Sequence, residues 1–129
     1  MSRPPSPVKF WRAEGLFPAT KIARVFTNNA IRNKFSGPGG FMDVKRANPN
    51  QPFGSSDTPF TGGGKFQKAV PGLRHAHLTQ DLSVVYRVDG NNIYLYGFFT
   101  HQELGTGSPG NIRRQDSMAD RFSNVTFTE

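Results

Sequence analysis

The sequence predicts a small α+β domain: an antiparallel sheet of three to five strands, one or two helices and a long loop rich in Gly and Pro. Three observations carry this expectation. From Leu73 to Phe99 the chain is rich in β-branched and aromatic residues, and in Leu73 to Leu78 successive side chains alternate between two faces. Asp89-Gly90-Asn91-Asn92 interrupts the stretch with a turn signature. A length of 129 residues suits one hydrophobic core rather than two.

The elements follow in chain order. Residues 1–18 read as an irregular N-terminal arm, because Pro4, Pro5 and Pro7 break regular structure, and Phe10, Trp11, Leu16 and Phe17 are available to pin the arm to a core. Residues 19–129 form the domain proper. KIARVF, from Lys21 to Phe26, suits a short strand, after which Thr27 would cap a helix running to about Phe35 with Ile31 and Phe35 on one face. A single helix from Ala19 to Phe35 fits the same pattern.

Residues 36–64 read as a long loop, since GPGG, NPNQP, GSS and TGGG recur through them. Phe41, Phe53, Phe60 and Phe66 are spaced along this region and beyond it, and packing against the core is favoured for them over stacking on unpaired bases. Next comes a strand from Leu73 to Leu78, with His75 and His77 on one face and Arg74, Ala76 and Leu78 on the other. Leu82 to Val88 then forms a hairpin with Ile93 to Phe99. Residues 105–129 make a basic tail with a short helix from Asn111 to Phe122 that presents Arg113, Arg114 and Arg121.

Composition narrows the function. Sixteen Lys and Arg against nine Asp and Glu give a formal charge of +7, which attracts a polyanion such as nucleic acid before any specific contact forms. The absence of cysteine excludes disulfides, thiolate nucleophiles and Cys-ligated zinc. No apolar run approaches the ~20 residues of a membrane span, and the N-terminus carries no signal-peptide pattern, so a soluble, cytoplasmic protein with no membrane partner is expected.

All three histidines fall between Leu73 and Leu104. Metal-free RNA cleavage needs a base for the ribose 2′-hydroxyl, an acid for the leaving 5′-oxygen and cations for the charge between them. Histidine serves both proton-transfer roles near neutral pH. His77 and His101 stand at the ends of different strands, Asp81 could orient one imidazole, and Arg74, Arg87, Lys65 and Lys68 supply positive charge. The alternative use of the same residues is a zinc hydrolase in which His75, His77 and His101 are the three ligands.

Arg74-His75-Ala76-His77-Leu78, then Asp81, then the strand ending Val85-Tyr86-Arg87, then Thr100-His101 and Leu104, resembles the C-terminal half of the YafQ branch of RelE-like toxins. Val25-Phe26-Thr27 followed by Ala30 resembles the first strand and helix start of that family. These are bacterial toxins of type II toxin–antitoxin systems that cut mRNA, typically in the ribosomal A site. The resemblance implies a RelE-like fold and catalysis by His77 and His101 with Asp81 beside them. It sets His75 and His77 at the two same-face positions where the wider group carries catalytic lysines. Phosphate would be held by Arg74, Arg87, Lys65, Lys68, Arg113 and Arg114. It further implies 2′,3′-cyclic phosphate products, mRNA and the ribosome as partners together with a cognate antitoxin, and no metal or small-molecule cofactor. ParE-like toxins use the same fold to bind gyrase, so a non-catalytic binding protein is the remaining expectation.

Overall fold

The computed structural model describes residues 7–14, 25, 27–59, 70–105 and 110–129. The fold is α+β, as expected, around one six-stranded open sheet: β1 (Lys9–Ala13), β2 (Thr58–Pro59), β3 (Arg74–His77), β4 (Leu82–Asp89), β5 (Asn92–Thr100) and β6 (Phe127–Thr128). The spatial order is β2-β3-β4-β5-β1-β6. Four helices accompany it among the described residues: α1 (Asn29–Ser36), α2 (Phe41–Ala47), α3 (His101–Leu104) and α4 (Ile112–Ser123).

The β3-β4-β5 meander matches expectation. Asp89 pairs with Asn92 across the two-residue turn Gly90-Asn91, and Gly90 takes a φ of +59°, the left-handed conformation a tight hairpin needs at its first central position. A register shift opposite Val85 and Tyr86 makes Tyr96 an extra residue on β5. The bulge lets Leu95 pack on one side of the sheet and Tyr96 on the other.

Several expectations are corrected. The sheet has six strands rather than three to five, and it is not wholly antiparallel, because β1 runs parallel to β5 with Phe10 opposite Ile93 and Trp11 opposite Tyr94. Part of the N-terminal arm is therefore a strand. Trp11 stacks on Tyr94 at 6.2 Å and donates its Nε1–H to Asn92 Oδ1 at 3.0 Å, so the strand is held by partners some eighty positions away. Val25 and Thr27 are helical, not extended, while residues 19–24 and Phe26 lie outside the described residues, as do Leu16 and Phe17. The cap of α1 is Asn28 rather than Thr27: its extended backbone separates the two helical stretches, and Oδ1 accepts from Ala30 N and Ile31 N at 3.0 and 3.2 Å.

The largest correction falls on residues 36–64, which are not one loop. Gly37 to Gly40 form the tight connection of a helical hairpin, where a Cβ on Gly40 would meet Asn33 O at 2.6 Å. The helix that follows, α2, ends just before Asn48-Pro49. Phe41 is fully buried, stacked against Phe35 at 5.8 Å and edge-on to Tyr86 at 5.0 Å, and Phe53 packs on it at 6.0 Å, so these two phenylalanines anchor the segment. Phe60 and Phe66 lie outside the described residues. The C-terminal segment is no tail either. Met118, Ala119 and Phe122 of α4 are buried in the core, and β6 closes the sheet against β1.

The sheet thus has two apolar faces. Ile31, Phe35 and Phe41 from α1 and α2 pack on Ala76, Val84, Tyr86, Ile93, Leu95 and Phe98. Leu104 and the apolar side of α4 pack on Val85, Tyr96, Phe99 and Ala13. No helix among the described residues is long and apolar enough to cross a membrane.

Candidate active site

His75 and His77 share the α4-side face of β3, opposite Val85 and Ser83 of β4 respectively. His101 arrives from β5. Leu82 pairs with Thr100, so the strand ends beside the start of β4, and Thr100 then caps α3. The cap is reciprocal: Thr100 Oγ1 accepts from Glu103 N at 3.2 Å and Glu103 Oε1 accepts from Thr100 N at 3.0 Å. This single turn, closed by Gly105 at φ +75°, fixes the direction in which His101 leaves the sheet. The Thr-x-x-Glu pattern at residues 100–103 is the sequence signal for it.

The result is a row of three half-buried imidazoles. His77 Nε2 lies 3.0 Å from His101 Nε2, although the residues are 24 positions apart. The ring centroids are 5.0 Å apart for His77 and His101 and 5.5 Å apart for His75 and His77. At 3.0 Å one Nε2 must donate and the other accept, so the accepting ring carries no proton on Nε2 while its partner does. Burial lowers the pKa of His77, the neighbouring His101 charge lowers it further, and the Ser56 backbone and the Asp81 charge oppose them. Burial also lowers the pKa of His75, with the His77 charge second and a hydrogen bond to the Thr58 backbone opposing. A neutral His77 at neutral pH is suited to accept a proton.

The other expected residues divide. Asp81 is exposed in the β3–β4 turn, where Thr79 Oγ1 accepts from the N–H groups of Asp81 and Leu82; it acts on His77 through its charge, and no hydrogen bond joins it to a described imidazole. Arg114 approaches the pair, donating from Nη1 to the carbonyl of Gln102, the residue next to His101, at 2.8 Å. Arg113 is exposed one position before it. Arg87 lies further along the same face, over the Tyr94 ring at 4.5 Å, and lines a cleft of about 500 Å³ with Tyr96, Phe122 and Phe127. Lys65 and Lys68 lie outside the described residues.

Arg74 faces the other way. Its Nε donates to Asp57 Oδ1 and to Tyr86 Oη, both at 3.2 Å, and Nη2 donates to the Asp57 carbonyl at 2.9 Å. Asp57 also binds Lys45 Nζ at 2.9 Å, Phe53 N at 2.8 Å and the Tyr86 hydroxyl. Sequence reasoning missed this buried group, because Lys45 and Asp57 sit in an apparently irregular segment and nothing local marks either as internal. Among the described residues, no group of three His, Cys, Asp or Glu side chains is placed to hold a metal ion.

No family model matches the sequence, and no curated protein matches it. Among solved structures the chain is similar to one described as the crystal structure of a metal-bound toxin from Helicobacter pylori, with 22% identity and a TM-score of 0.46. The similarity covers 75% of this chain and 98% of that one.

Proposed function

We propose that this protein is a metal-independent endoribonuclease of the RelE-like, YafQ type, cutting mRNA on the ribosome and held in check by a cognate antitoxin. The observation that carries the reading is the 3.0 Å contact between His77 Nε2 and His101 Nε2 at a half-exposed, basic-flanked end of the sheet, where β3 and β5 terminate.

The reaction assigns one proton to each imidazole. Neutral His77 takes the proton of a ribose 2′-hydroxyl, the 2′-oxygen attacks phosphorus, and the bond to the 5′-oxygen breaks. His101 as imidazolium protonates that leaving oxygen, giving a 2′,3′-cyclic phosphate and a free 5′-hydroxyl. Because attacking and leaving oxygens lie on opposite sides of phosphorus, the substrate must part the two rings. When product leaves, their renewed contact returns the proton from His77 to His101. Arg114 is the described cation best placed to offset phosphorane charge, Arg113 and Arg87 extend the basic surface, and Lys65 and Lys68 are carried over from the sequence. Asp81 favours the charged state of His77 after proton uptake. Burial and the neighbouring His77 and His101 charges disfavour a charge on His75, which stands beside the base as a neutral imidazole.

The test is to incubate purified protein in EDTA with mRNA, free or on programmed ribosomes, beside His77→Ala and His101→Ala, and to map fragment ends. Cyclic phosphate ends that require both histidines are expected. Activity that survives either substitution would overturn the acid–base assignment. No cleavage by the unsubstituted protein would favour a binding protein of the ParE type, and cleavage only with added zinc would favour a hydrolase.

A further inference from the structure

On the face opposite the imidazoles, Lys45, Pro49, Asn50, Gly72, Arg74 and Val88 line a cavity of about 220 Å³. No carboxylate is among the described residues that line it. The two cations in its wall share a single anion, Asp57, which is fully buried beside Lys45, itself only 1% exposed. Tyr86 cannot supply a second negative charge, since burial and the Asp57 hydrogen bond push its ionisation far above the ordinary range. Lys45 and Arg74 against Asp57 therefore leave one positive charge over.

That surplus is not needed to satisfy Asp57. Lys45 Nζ and Phe53 N already occupy Oδ2, and the Tyr86 hydroxyl occupies Oδ1. Lys45 alone would neutralise the carboxylate. Arg74 is added to a group that is complete without it, its side chain is 28% exposed, and its Nη1 donates to no described residue. A planar guanidinium with open donors at the mouth of a concave, cation-backed cavity is suited to a phosphate, which it can bind through two parallel hydrogen bonds. The low dielectric around Lys45 strengthens the attraction relative to an exposed pair.

We propose that this cavity is a phosphate-binding site, with Arg74 as its direct ligand and Lys45 as the buried charge behind it. The site is separate from the imidazole row, so it stands or falls independently of RNA cleavage.

Isothermal titration of the full chain with inorganic phosphate, in a chloride buffer of low ionic strength, tests it. Saturable binding at one site per chain is expected, weakened at least tenfold or so by Arg74→Gln. Asn50→Asp places a carboxylate at an exposed lining position without touching the Asp57 group, so it folds and should weaken phosphate by a similar factor. Absence of saturable binding, or binding that Asn50→Asp and Arg74→Gln leave unchanged, would overturn the proposal. In the His77→Ala background, short RNAs with a 5′-phosphate or a 5′-hydroxyl identify the source. Tighter binding of the phosphorylated RNA, lost in both cavity variants, means that the site takes a phosphate carried on RNA. Equal binding of the two RNAs alongside intact phosphate binding means that it takes the free ion.

Discussion

On the face covered by α1 and α2, Lys45, Asp57, Arg74 and Tyr86 are tied to one another and to backbone groups; on the face covered by α3 and α4, three imidazoles lie half-exposed in a row. Both clusters use β3, whose alternate residues point to opposite sides, so Arg74 and His75 are chain neighbours serving different ends. The contrast shows how one strand can separate an ionic clamp from a reactive site. The clamp fixes residues 48–57 beneath the sheet, through Gln51 O on Lys45 and through Asp57 on three partners. It thereby sets β2 against His75, with Thr58 opposite it.

If the two faces differ in this way, substitutions on them should separate activity from stability. The largest effect is expected at the imidazoles. His101→Ala should lower the rate of RNA cleavage by about 10²–10⁴-fold, the usual contribution of a positioned acid, while the circular dichroism spectrum and thermal midpoint stay close to those of the parent. Loss of folding instead of activity would erase the contrast. On the opposite face Asp57→Ala should do the reverse. It leaves Lys45 and Arg74 without their anion and should cost about 3–5 kcal/mol in denaturant unfolding, with any residual folded protein still able to cut RNA.

A smaller effect distinguishes the faces by pH. His75 and His77 are held below the ordinary 6.5, so on acidification the unfolded chain takes up protons before the folded one does. Their support for the fold is complete above 6.5 and is lost as pH falls through the lowered values. The thermal midpoint should therefore drop between about pH 7.5 and 5.5, and His75→Gln should drop less. An identical drop in the variant would show that the acid sensitivity lies elsewhere. The smallest effect is at Arg114→Ala, an exposed position. Stability should change by less than about 0.5 kcal/mol, while RNA affinity falls and the slope of log affinity against log salt declines by about one.

The meander, the Gly90-Asn91 turn, the shared face of His75 and His77, and the helix from about Asn111 were legible in the sequence because each rests on contacts between near neighbours. Periodicity and turn chemistry report such contacts directly. The same reading went astray at β1, whose partner is β5, and at α2, a seven-residue helix between Gly40 and Asn48 whose stability comes from Phe41 packing on Phe35 and Tyr86. Helices this short draw their stability from tertiary packing rather than propensity.

The sequence by itself determined the fold class, the confinement of all three histidines to one segment and the basic charge that favours a polyanion. Only the tertiary structure decided which charges meet. It brought His101 to 3.0 Å from His77, turned Arg74 away from both, and buried Lys45 against Asp57. Strand alternation fixes the face on which a side chain points, whereas its partner across that face is set by register, bulges and caps between segments far apart in the chain.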